Sequence, residues 1–217
     1  YAYIGTGSIA GSNLINGARA GALYVAFLGG AGSATVYGGE AAASVFGVDG
    51  SDVTYVDTLV GARGAFLVAN GSAAGSETLN AAGSAMNDSL FAAQGNIRLV
   101  AGSGTDFLDA GANTGSLGGA GTVVGGDTMV AGGSSDLMFF SHGAFEGGAV
   151  VINFSSADTV ILSGYNSVAG AGGNQASTAL ADATTAGGDT TIALADGTHI
   201  TFVDATAAQL QGHVFSS

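Results

Sequence analysis

The sequence predicts an all-β fold: a parallel β-roll or β-solenoid of degenerate nonapeptide repeats, closed by a C-terminal antiparallel β cap. Three observations predict it. Leu90, Leu99, Leu108 and Leu117 recur every nine residues. The chain carries 40 glycines and no proline in 217 residues. Its hydrophobic content of 47% comes mostly from small residues, with no tryptophan and 8% aromatics, which suits thin stacked layers better than a thick globular core.

The repeats can be written out. GSAMNDSLF from Gly83, AAQGNIRLV from Ala92, AGSGTDFLD from Ala101 and AGANTGSLG from Ala110 follow one another without a gap. After a three-residue insertion the phase resumes as TVVGGDTMV from Thr122 and AGGSSDLMF from Ala131, with Met129 and Met138 in the apolar place. An earlier block, GGAGSATVY from Gly29, GGEAAASVF from Gly38 and GVDGSDVTY from Gly47, has the same grammar. Residues 56–82 are less regular and read as the same repeat with altered turns. Nine residues is wrong for a heptad, and this glycine density opposes helix. A glycine turn followed by a strand of about three residues fits, with one apolar side chain pointing inward. Two such units make one coil of about 18 residues, so positions 18 apart share a side. Three regions follow: irregular β coils over 1–28, the repeat roll over 29–139, and a cap over 140–217.

Charge narrows the partners. Sixteen acidic residues stand against Arg19, Arg63 and Arg98, giving a formal net charge of -13. Such a surface repels phosphate backbones and anionic headgroups, so neither nucleic acid nor membrane is an expected partner, and cations are. Without cysteine there is neither a disulfide framework nor a thiolate metal site. No tripartite leader opens the chain at Tyr1, and no apolar run is long enough to span a bilayer.

The nonamer AGSGTDFLD resembles the template G-G-x-G-x-D-x-U-x of RTX (hemolysin-type) calcium-binding repeats in its glycines Gly102 and Gly104, in Asp106 and in Leu108. GGAGSATVY matches the glycines and Val36 but has Ala34 where the acid belongs. The likeness runs over about Gly29 to Phe139. It implies Ca2+ held between same-side turns by turn carbonyls, here at glycines such as Gly102, Gly104 and Gly125, and by one aspartate from each turn. Asp88 and Asp106 lie 18 residues apart, and Asp127 follows by 21, which is 18 plus the insertion, so these three are expected on one ladder. The equivalent places on the other side are Ile97, Gly115 and Asp136, of which only Asp136 could ligate. Asp52, 18 residues after Ala34, offers a half-site near Asp49 and Glu40. The alternative is that these aspartates accept hydrogen bonds from turn amides, a common use of Asp.

Beyond Phe139 the period stops and longer strand patterns follow. Ile192, Leu194, Ile200 and Phe202 alternate around Asp196-Gly197, which predicts a hairpin over Thr190 to Val203. VINFSSADTVILSGY resembles the C-terminal element that closes the roll in secreted RTX proteases, and the ending His213-Val214-Phe215 with two serines suits an uncleaved export signal.

A search for catalytic motifs is negative: no H-E-x-x-H, no G-x-S-x-G, and no G-x-G-x-x-G before a helix occurs, while His142, His199 and His213 are scattered. Threonines are not expected in register over several coils, and tyrosines such as Tyr37 and Tyr55 are expected to stack. The expectation is therefore a secreted, non-enzymatic, calcium-binding structural protein that self-associates in an extracellular matrix, surface layer or filament. The alternative is the folding and export module of a larger RTX exoenzyme or adhesin.

Overall fold

The computed structural model describes residues 2–6, 12–16, 23–28, 32–38, 43–46, 51–56, 64–68, 76–92, 96–111, 126–142, 148–168 and 173–217. Up to Ser163, successive strands alternate between two sheets. In spatial order the first holds β1 (Ala2–Thr6), β3 (Leu23–Leu28), β5 (Ala43–Phe46), β7 (Ala65–Val68), β9 (Ser89–Phe91), β11 (Phe107–Asp109), β13 (Leu137–Ser141), β15 (Thr159–Ser163) and β19 (Val214–Ser216). The second runs from β2 (Ser12–Asn16) through β4 (Gly32–Tyr37), β6 (Ser51–Val56), β8 (Ser76–Asn80), β10 (Asn96–Val100), β12 (Gly126–Val130) and β14 (Gly148–Ile152) to β18 (His199–Phe202), β17 (Asp189–Ala193) and β16 (Thr184–Ala186). Pairing is parallel throughout, except where β17 meets β16 and β18.

One apolar residue per strand sets the register. Val45, Leu67, Leu90, Leu108, Met138, Val160 and Val214 are partners along the first sheet. Leu79, Leu99, Met129, Val151 and Phe202 align along the second. All are buried, and each contributes on the order of 1.5–3 kcal/mol relative to an exposed position. A slip of one residue would turn every one of them to solvent.

The expected all-β roll or solenoid with an antiparallel cap is corrected. The architecture is mixed α/β, two parallel-rich sheets with helices at the C-terminal end: α1 (Gln175–Ala181), α2 (Ala207–Leu210) and a 3-10 turn at Tyr165–Ser167. The cap region itself continues the parallel pairing, β18 on β14 and β19 on β15. The helices have local causes. Asn174 caps α1 by accepting from the Ser177 amide, and Thr206 with Gln209 forms a reciprocal capping box on α2. The expected hairpin does form between β17 and β18, with Gly197 at φ 90° in its turn.

The 18-residue spacing is also kept only in part. Ser89 pairs with Phe107 at that distance, but Leu99 pairs with Met129 and Leu108 with Met138, thirty residues on. The expected step of 21 residues, 18 plus the insertion, is thus thirty. Leu117 and Gly115 lie outside the described residues. Tyr37 pairs with Val56 rather than Tyr55.

Candidate functional site

Four turns lie on one flank of the sheets, at residues 81–88, 101–106, 131–136 and 153–158. Each ends in an aspartate immediately before a strand of the first sheet: Asp88, Asp106, Asp136 and Asp158, every one about 1% exposed. Their carboxylates form a continuous ladder with main-chain amides. Asp88 Oδ1 accepts from the Ala65 amide at 2.6 Å. Asp106 Oδ1 accepts from the Asp88 amide at 2.7 Å, Asp136 Oδ1 from the Asp106 amide at 3.0 Å, and Asp158 Oδ1 from the Asp136 amide at 2.9 Å. The second oxygen closes the residue's own turn: Asp106 Oδ2 on the Gly102 amide (2.7 Å), Asp136 Oδ2 on Gly132 (2.6 Å), Asp158 Oδ2 on Ser155 (2.7 Å). Charge-assisted bonds of this kind are stronger than neutral ones, and they satisfy amides that no strand partner reaches.

Asp127 stands apart. It is fully buried at the start of β12, on the opposite flank. Its Oδ1 accepts from the Ile97 amide at 2.9 Å, and among the described residues its buried Oδ2 has no hydrogen-bond partner. Burial, with the charge of Asp109 adding to it, pushes its carboxyl up to about 8. Burial raises Asp136 less, to about 6, because the amides of Gly132 and Asp106 favour its ionised form. Asp106 is raised in the same way.

The expected grouping is therefore redrawn. Asp88 and Asp106 share a ladder as expected, but Asp136 replaces Asp127 on it. Asp136 follows Asp106 on the same flank by thirty residues rather than 21, so the repeat count exchanges the two flanks from there on. Asp158 joins the ladder unanticipated, although Ser156-Ala157-Asp158 before the strand Thr159–Ser163 has the same acid-then-strand grammar as Thr105-Asp106 before Phe107. Asp52 lies in β6, paired with Ser33 and Thr78, away from the ladder. Gly102 supplies an amide to Asp106. Gly125 lies outside the described residues.

The four turns do not fit a calcium ion held between them. Calcium takes about six to eight oxygens, but here both carboxylate oxygens of Asp106, Asp136 and Asp158 and the carbonyls of Ser84 and Gly102 face amides. The Ser103 amide donates to the Ser84 carbonyl at 2.8 Å and the Gly133 amide to the Gly102 carbonyl at 3.3 Å, turn on turn. A Cβ built on Gly132 would fall onto the Gly102 carbonyl oxygen, and one on Gly104 onto that of Met86. At these points the backbones of the turns 81–88, 101–106 and 131–136 are already in contact. Among the described residues no group of three or more His, Asp or Glu side chains gathers as a metal site.

The histidines are dispersed. His142 meets Tyr165 edge-on, His199 lies in β18, and His213 Nδ1 lies 3.2 Å from the Asp158 carbonyl. Threonines are more aligned than expected, with Thr35 beside Thr54 and Thr184, Thr191 and Thr201 in one row, though Arg98 and Val150 interrupt the row further along. No helix among the described residues is long and apolar enough to cross a membrane. No family model and no curated protein matches the chain.

Proposed function

We propose that this chain is a secreted, non-enzymatic structural protein that self-associates by extending its two sheets at the β1 and β2 end. The observation that carries the proposal is the contrast between the two ends. Among the described residues, β1 and β2 are the outermost strands of the two sheets, five residues each, and each has a partner on one side only. An outermost strand offers a row of amides and carbonyls for pairing. At the other end the last strands, β19 and β16, have three residues each, α1 packs on β19, and β16 pairs antiparallel. These features blunt an edge, so growth is directed to one end.

The same open end favours a second reading, in which it continues the sheets of a preceding segment of a larger exoprotein or adhesin. In either case the ladder aspartates act as hydrogen-bond acceptors that fix turn geometry, and the dispersed histidines support a role without catalysis. Sedimentation velocity over a wide concentration range, with electron microscopy, tests this. Concentration-dependent fibres or layers support self-association, while a folded monomer at every concentration favours the second reading. Circular dichroism in chelator and in about 10 mM calcium, a range suited to weak extracellular calcium modules, tests the ladder. A β spectrum complete in chelator is expected, and β structure that appears only with calcium would overturn the hydrogen-bonding role.

A further inference from the structure

The outward face of the first sheet carries an aromatic ladder that none of the roles above uses. Phe46, Phe66, Phe91, Phe107 and Phe139 lie on consecutive strands, with ring centroids 6.3, 4.9, 5.4 and 6.0 Å apart. Ile161 continues the row from Phe139 to Phe215. The face is open: Phe66 is 42% and Phe215 49% exposed. Monomers seldom display an apolar patch this extended without a partner.

We propose that this face pairs with the same face of a second copy. Three features argue for that occupant. The first is shape. The rings do not stand in one column but zigzag between two, because Phe66 pairs with Ser44 and Ser89, and Phe46 with Val68. Ser89 in turn pairs with Phe107. Bulky rings thus alternate with small side chains, and a two-fold axis seats the knobs of one copy in the hollows of the other, as in face-to-face sheet packing.

The second is charge. The whole chain has a net charge of -13, so two copies repel over most approaches. At the described outward positions of β5, β7, β9, β11, β13, β15 and β19 the one charged side chain is Asp109, and its Oδ1 accepts the Gly111 amide. The aromatic face is thus nearly free of the charge that repels identical chains elsewhere.

The third is area. Side chains of this size and exposure cover roughly 400–500 Å² per copy, or roughly 800–1,000 Å² in a dimer. That is the lower bound for a specific interface, so the pairing is weak and concentration-dependent. It deepens the self-association reading with a second contact, but does not need the strand-edge contact at β1 and β2.

Two measurements on the full chain test it. In sedimentation velocity from about 1 to about 200 µM, a range set by the small interface, wild type should enter a monomer-dimer equilibrium. The double variant Phe66→Thr, Phe215→Thr should weaken it at least about tenfold, with circular dichroism unchanged and the thermal midpoint lowered by roughly a few degrees, because Phe66 also gives up its ring contacts with Phe46 and Phe91. Since the chain has no cysteine, a single thiol reports on the face even if end-to-end fibres also form. Ser89→Cys should cross-link between copies with a short bifunctional thiol reagent, and Thr201→Cys, on the other sheet, should not. Equal cross-linking at both positions, a strictly monomeric wild type, or monomers that instead float with zwitterionic phosphatidylcholine vesicles through these phenylalanines would each overturn the pairing. Fibres that persist with no Ser89→Cys cross-link would remove the face contact and leave the end contact standing.

Discussion

Asp136 and Asp127 sit in nearly the same sequence setting, shortly after a pair of glycines, and both are buried, yet they live in different chemistry. Asp136 has two amides on its oxygens and hands its own amide to Asp158. Asp127 has one, from Ile97. The difference teaches what makes an aspartate useful in a stacked turn. On the ladder flank the carboxylates of Asp106, Asp136 and Asp158 each join their own turn to the neighbouring one, so burial is offset by bonding. On the other flank a single bond leaves most of the desolvation cost in place, which is why the Asp127 carboxyl stands at about 8 and that of Asp136 at about 6.

The largest effect that separates the flanks is removal of a ladder carboxylate. Asp106→Ala strands two buried amides, those of Asp88 and Gly102, at about 1–3 kcal/mol each, for a total of about 2–6 kcal/mol. Asp127→Ala strands one, that of Ile97, and removes an ill-bonded carboxyl, so it should cost clearly less. Urea denaturation of both variants measures the contrast, and equal losses would mean that the ladder has no special place in stability.

A second contrast lies within one turn of the ladder. Gly132→Ala drives a methyl group into the Gly102 carbonyl, a backbone atom that cannot swing aside, whereas on Gly133 the nearest atom to a new Cβ is Ser103 Cβ at 3.9 Å. The first should destabilise by about 1–3 kcal/mol or more, as overpacking does, and the second by less than about 0.5 kcal/mol, as for an unconstrained surface site. Thermal melts suffice. If Gly133→Ala cost as much as Gly132→Ala, the close stacking of turns, and with it the argument against an ion between them, would fail.

Much of this was legible in the residues. Leu90, Leu99 and Leu108 predict the inward positions correctly because a strand register aligns like side chains across neighbouring strands. The link from Asp88 to Asp106 follows from the same spacing. The flank of Asp127 and Asp136 was not legible, because a repeat count predicts a step of 21 residues while the register from Leu99 to Met129 takes thirty. Which side a turn occupies depends on that step, and a difference of one unit inverts it. The helices were hidden for another reason. Asn174 and the Thr206-Gln209 box are local capping signals, and a search for long-range period does not weigh them. The aromatic ladder escaped notice because its rings alternate between two columns, and the columns exist only once the strands are paired.

The flanks should also respond to pH in a way opposite to ordinary acid denaturation. A folded-state carboxyl raised above its usual 3.8 binds its proton more tightly folded than unfolded. Stability from such a group is therefore fullest in acid and falls as pH rises from about 4 through the folded value, near 6 for Asp136 and near 8 for Asp127. The thermal midpoint should accordingly be higher at pH 5 than at pH 9. A midpoint that climbs steadily over that interval would show that these carboxylates are better solvated or better partnered than the geometry indicates.

Near pH 6 Asp127→Asn gives the smallest expected effect, and it gives the finest division between the flanks. Asparagine keeps an oxygen for the Ile97 amide and cannot ionise, so it stands in for the protonated acid. Near pH 6, where Asp127 is itself protonated, the substitution should change stability by less than about 0.5 kcal/mol. At pH 9, where the wild-type group is driven to ionise in a buried site, the variant should be the more stable protein by about 2–3 kcal/mol, and the slope of stability against pH between 6 and 9 should flatten. Asp136→Asn should give no such gain, because its second position must accept from the Gly132 amide and a side-chain NH2 group cannot. Urea titrations of the two variants at both pH values would therefore separate an aspartate that braces a turn from one that is merely buried, and a gain at pH 9 in both would show the two flanks to be alike.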